Sequence, residues 1–79
     1  MQKSLRTPQH QRLIEALIGA RKAAQLTQAD VAGRLSRPQS FVAKYEGGER
    51  RLDVIEFLEI AQALDTNPSA ILDQMGVTA

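Results

Sequence analysis

Pro38 constrains this chain more than any other residue. Helix propensity collapses across Ser36-Arg37-Pro38, between two segments of helical apolar spacing. Proline lacks the N–H that a continuing helix needs, yet its fixed φ suits the first turn of a new one. Upstream, Thr27 is a good N-cap with Asp30 three residues on, a weaker form of the capping box. Val31, Ala32 and Leu35 then fall on one helical face. Downstream, Val42 and Tyr45 form an inward pair spaced i, i+3, and Gly47-Gly48 ends the segment. The pattern predicts helices from Gln28 to Leu35 and from Pro38 to Glu46. Helices joined by so short a turn must cross steeply, and Ala32 supplies the small side chain that a close crossing needs.

That geometry is a helix-turn-helix, whose second helix can project into the DNA major groove. Its outward face is expected to carry Gln39, Ser40, Phe41, Ala43 and Lys44. Glutamine can bind adenine with two hydrogen bonds, serine is a permissive partner, and lysine favours guanine or phosphate. Phe41 can meet a thymine methyl; packing against a neighbouring side chain is its alternative. Gln28 sits at the N-terminus of the first helix, where free N–H groups and the positive dipole end favour phosphate. Arg37 in the turn and Lys44 late in the second helix are further phosphate candidates.

The stretch resembles the phage repressor/Cro class of helix-turn-helix, the xenobiotic-response-element (XRE) family. The matching residues are Leu26-Thr27-Gln28, Val31-Ala32, Leu35, Gln39-Ser40, Val42, Tyr45-Glu46 and Gly48-Glu49-Arg50. The likeness continues from Asp53 to Leu64 and more weakly to Leu72. Two residues depart from the family pattern: Ser36 stands where glycine is usual, and Arg37 where an apolar residue is usual. A positive φ costs serine more than glycine, so the turn is expected to follow a slightly different path. The resemblance implies an ion pair between Arg21 and Glu46, partly buried, fixing helix 1 against helix 3. It also implies that the Gly47–Leu52 loop approaches the DNA backbone near a dimer twofold. Arg50 and Arg51 then join Gln28 and Arg37 as phosphate contacts.

Seventy-nine residues make one small domain with a marginal core. The chain has no cysteine, so neither a disulfide nor a thiolate metal site can stiffen it. A hydrophobic content of 43% with few aromatics suits a helical bundle packed with Leu, Ile, Val and Ala. No apolar run is long enough to span a membrane. Glu15 interrupts the apolar stretch after the basic N-terminus and no cleavage site follows, which argues against a signal peptide and for a cytoplasmic protein. The net charge of +1 hides a polarity: residues 1–52 hold all ten Lys and Arg against four acids, and residues 53–79 hold five acids and no base. A basic half around a helix-turn-helix reads as a phosphate-facing surface.

Residues 1–6 read as a flexible basic arm, and residues 7–79 as the folded domain. Thr7-Pro8 opens helix 1, with Leu13, Ile14, Leu17 and Ala24 as its inner stripe. His10 has no second metal-ligating residue at suitable spacing and is expected on the surface. Asp53 and Glu56 make a capping box for helix 4, whose Val54, Phe57, Leu58, Ala61 and Leu64 are expected in the core. Asp65-Thr66 breaks that helix. Asn67-Pro68 opens a short helix 5 with Ile71 and Leu72 inward, ending in an apolar Met75-Gly76-Val77 suited to burial in a partner subunit. Ser4 and His10 lack an orienting group, and no phosphate loop or metal motif occurs, so no catalysis and no cofactor is expected.

These expectations combine into an all-α, five-helix, lambda-repressor-like DNA-binding domain with a helix-turn-helix. It would be a transcriptional regulator, usually a repressor, binding a palindromic operator in double-stranded DNA as a homodimer. The seams would be the Gly47–Leu52 loop and the helix 5 end. The alternative keeps the fold and gives it another role, that of an antitoxin-like protein-binding partner that also represses its own promoter.

Overall fold

The computed structural model describes residues 7–76, so the basic arm and Val77 lie outside the described residues. Among the described residues five helices follow one another: α1 (Pro8–Ala23), α2 (Gln28–Leu35), α3 (Gln39–Glu46), α4 (Val54–Ala63) and α5 (Pro68–Gln74). The described residues contain no strand.

The starts follow the side chains. Thr7 Oγ1 accepts from the His10 amide at 3.1 Å, with Pro8 in the first turn of α1. Thr27 and Asp30 cap α2 reciprocally, at 2.8 and 3.0 Å. Asp53 and Glu56 do the same for α4, and Asn67 caps α5. Each of these side chains satisfies an amide that the helix itself cannot, worth about 1 kcal/mol apiece.

Each of the five described helices is followed by a left-handed residue: Gln25, Ser36, Gly48, Asp65 and Gly76, at φ 61°, 56°, 77°, 57° and 84°. After the first four the next amide bonds back across the turn: Leu26 to Arg21, Arg37 to Ala32, Glu49 to Lys44 and Thr66 to Ala61. This is the Schellman arrangement, for which glycine is the usual residue. Ser36 therefore makes the turn that glycine would have made, and Pro38, extended at φ −68°, ψ 153°, delivers the chain directly into α3.

The core lies where α2 packs on α3 and α4, and where α1 packs on α3 and α5. Ile14, Leu17, Val31, Val42, Tyr45, Ile60, Ala61 and Ile71 are almost wholly buried there. Several expectations are corrected. His10 is buried, because it continues the helical stripe of Ile14 and Leu17 and lies beside Leu52 and Met75. Ala24 is exposed as the C-cap of α1, and Ala16 is buried in its place. Met75 is buried within its own chain, whereas Leu72 turns outward.

Helix α4 has two apolar faces. Phe57, Ile60, Ala61 and Leu64 form the inner stripe. Val54 and Leu58, expected in the core, instead join Ile55 on a second face, with Val54 71% and Ile55 63% exposed. The helix is apolar nearly all round, so spacing alone does not identify the buried side.

Candidate nucleic-acid interface

Helix α3 divides sharply into two faces. Phe41, Val42 and Tyr45 point inward, while Gln39, Ser40, Ala43 and Lys44 are exposed. Three of the four expected base-contacting side chains thus share one open surface. Phe41 is corrected: it is 8% exposed, and its ring stands edge-on to Tyr45 at 5.5 Å between centroids. The physical reason is the i, i+4 pairing of the two aromatics, which turns Phe41 toward the core side of the helix. Its remaining surface is covered by guanidinium groups, Arg37 Cζ at 4.4 Å and Arg50 Cζ at 4.8 Å from the ring centre.

The end of α3 is fixed by one carboxylate. Arg21 Nε donates to Glu46 Oε2 at 2.8 Å, and Arg21 Nη2 donates to Oε1 at 3.1 Å. The third arm of the guanidinium, Nη1, donates to the Leu26 carbonyl at 2.9 Å. Gln28 Nε2 adds a further donor to Glu46 Oε1 at 3.0 Å. The side chains of Arg21 and Glu46 are 13% and 5% exposed, so the pair lies mostly out of water. Hydrogen bonding to Glu46 holds the Arg21 guanidinium above its ordinary pKa, against the opposing effect of desolvation. Burial likewise pushes the Tyr45 phenol up. Helices α1, α2 and α3 are thereby joined at a single point, with Gln28 directed at Glu46 as a brace.

The expected phosphate contacts divide too. Arg37 and Arg51 are exposed beside the start of α3 and in the following loop. Arg50 is committed within the chain: Nη1 and Nη2 meet Glu56 Oε1 and Oε2, both at 2.8 Å, and Nη1 also reaches the Arg51 carbonyl. Arg37 Nη2 approaches the same Glu56 carboxylate at 3.9 Å. The Arg50 guanidinium and the Asp53 amide hold the Glu56 carboxyl down at about 2.

Sequence reading missed two of these roles. Glu56 was legible as a cap but not as the carboxylate that gathers two arginines. Arg34 donates to the Ala63 carbonyl at 2.8 Å, tying α2 to the C-terminal end of α4. A cation at that end satisfies an orphan carbonyl and complements the helix dipole; nothing local in the sequence signals it.

The comparisons agree with this geometry. Residues 11–72 match the family described as a helix-turn-helix domain. An XRE-family like protein from Pseudomonas syringae pv. tomato str. DC3000 is 48% identical, with a TM-score of 0.81 over 86% of this chain and 83% of that one. The restriction-modification controller protein C.AhdI from Aeromonas hydrophila is 27% identical, with a TM-score of 0.72 over 78% of this chain and 94% of that one. The clp gene regulator ClgR from C. glutamicum shares the fold, with a TM-score of 0.80 at 16% identity, over 86% of this chain and 88% of that one. No curated protein matches the chain. No helix among the described residues is long and apolar enough to cross a membrane. The sequence, the five helices and the Arg21–Glu46-anchored helix-turn-helix place this chain in the XRE-type family of helix-turn-helix DNA-binding transcriptional regulators.

Proposed function

We propose that this chain is a sequence-specific repressor that binds a palindromic operator as a homodimer, with α3 in the major groove. The observation that carries the reading is the open face of α3. Gln39, Ser40 and Lys44 are hydrogen-bonding side chains with no structural role among the described residues, on a helix whose other face is locked into the core. Gln39 would read adenine, Ser40 either base type, and Lys44 guanine or an adjacent phosphate. The N-terminus of α2 at Gln28, with Arg51, would meet the backbone and set the register. Repression follows from occupying the operator, which is the commoner outcome in this family.

The dimer is supported by surface rather than by contacts. One domain of this size makes few base contacts, and a twofold pair doubles them across half-sites about one helical turn apart. Val54, Ile55, Leu58 and Leu72 offer an apolar patch next to the Gly47–Leu52 loop, a suitable seam for a second copy. The same patch supports the second reading, in which an antitoxin-like chain docks another protein there.

Selection of bound sequences from a random DNA library, using the purified 79-residue chain near physiological salt, tests the reading. An enriched palindrome is the expected result. Enrichment of a single half-site would remove the dimer. No enrichment by folded protein would sink sequence-specific DNA binding and leave the protein-docking reading.

A further inference from the structure

Phe41 lies in the first turn of α3, and Arg37 and Arg50 both lie on its ring. The same two arginines converge on one carboxylate, Glu56, at 3.9 and 2.8 Å. The position of that carboxylate is set independently of them, because Glu56 Oε1 also accepts the Asp53 amide at 3.1 Å in the capping box of α4. Glu56 is 12% exposed, while the Arg37 and Arg50 side chains remain 38% and 36% exposed. The arginines therefore keep part of their surface open to solvent, with a largely covered carboxylate at their other side.

We propose that Glu56 is a specificity-determining positioning residue: an internal carboxylate that occupies Arg37 and Arg50 in place of DNA phosphate and so holds down binding to non-cognate DNA. The inference rests on the DNA-binding reading above. Binding to arbitrary sequence is driven almost entirely by phosphate neutralisation and counterion release. A phosphate that recruits Arg50 must displace two short, charge-assisted hydrogen bonds already in place. Cognate DNA tolerates that loss, because base contacts from α3 add to its affinity. The restraint is permanent at physiological pH, since the Glu56 carboxyl titrates only at about 2.

Glu56→Gln tests this, because glutamine keeps the capping-box geometry and removes the charge. The full chain, with helicity checked at the assay temperature, is titrated with its selected operator and with a random-sequence duplex across a series of KCl concentrations. On the random duplex, E56Q is expected to steepen the slope of log K against log salt by about 1–2, one for each arginine released to phosphate. Each released arginine adds about 3.5-fold to the affinity gained between 200 and 50 mM salt, so the random duplex is held more tightly than by wild type. In an R37Q/R50Q background, E56Q should leave the slope unchanged. An unchanged slope for folded E56Q, or a change that persists without the arginines, overturns the inference while leaving DNA binding intact. Wild-type protein that binds neither duplex removes both. Should E56Q fail to fold, R50Q decides: a withheld arginine leaves the slope within about 0.5 of wild type, and flattening by about 1 overturns the proposal.

Discussion

Arg21 grips both oxygens of Glu46, at 2.8 and 3.1 Å, across 25 residues of sequence. The contact joins the end of α1 to the end of α3, and Gln28 closes it from α2. Desolvation makes such a pair a poor source of net stability, but removing one partner strands the other charge, at a cost of about 3–5 kcal/mol. Arg21→Ala and Glu46→Ala are each expected to lose that much in urea denaturation, a large share of what a domain this small possesses. The double variant should lose clearly less than the sum. Single losses under about 1 kcal/mol would mean that the pair behaves as an exposed one.

Gln25 holds a left-handed turn that suits glycine. The conformation costs an L-residue about 1–2 kcal/mol, and glycine gives back about 0.5–1 in chain entropy. Gln25→Gly should therefore stabilise by about 0.5–1 kcal/mol and raise the melting temperature by about 2–8 °C. Asp65→Gly should gain less, because aspartate tolerates this region better. The contrasting variant is Gly48→Ala, at φ 77°, which should lower the melting temperature. Equal responses at Gln25 and Gly48 would show that the turns relax rather than impose their geometry.

Glu56 also makes stability depend on pH. Its folded pKa of about 2 lies below the ordinary 4.5, so the charged carboxylate favours the folded state. That contribution is complete above pH 4.5 and is lost as the pH falls toward 2. Wild type is expected to exceed Glu56→Gln in urea midpoint at pH 7, with the gap closing over that interval. A gap that is constant with pH would place the effect of the substitution outside the charge.

On DNA, Gln39→Ala and Arg51→Ala should separate. The first is expected to cost about 1–3 kcal/mol on the preferred site and to relax one base position. The second should weaken all sequences alike and flatten the salt slope by about 1. Binding isotherms on specific and random duplexes read both; identical behaviour of the two variants would undo the division of roles.

Local chemistry made most of this fold legible. Thr27, Asp53, Asn67 and the prolines fix where helices start, and these signals act within one turn of themselves. The i, i+3 spacing of Val42 and Tyr45 likewise settles which side of α3 is buried. What escaped was set by distant neighbours. His10 lies on the stripe of Ile14 and Leu17, but only the approach of Leu52 and Met75 closes it off. Phe41 sits at the boundary of the two faces of α3, and it is the arginines from the turn and the loop that cover it. In α4 the sequence is apolar on two sides, and packing against α2 and α5 chooses between them.

That choice leaves Val54, Ile55 and Leu58 together on the outer side of α4. Exposed side chains contribute little to the fold of a single chain, so Ile55→Ser and Leu58→Ser should change the urea midpoint of dilute protein by no more than about 0.5 kcal/mol. They are expected instead to shift the mass measured by sedimentation equilibrium from dimer to monomer. Loss of the dimer should weaken operator binding much more than half-site binding, because the second half-site is then no longer tethered to the first. A dimer that survives both substitutions would move the seam to the Gly47–Leu52 loop. A wild-type chain that is monomeric at every concentration would assign the apolar face to a different protein.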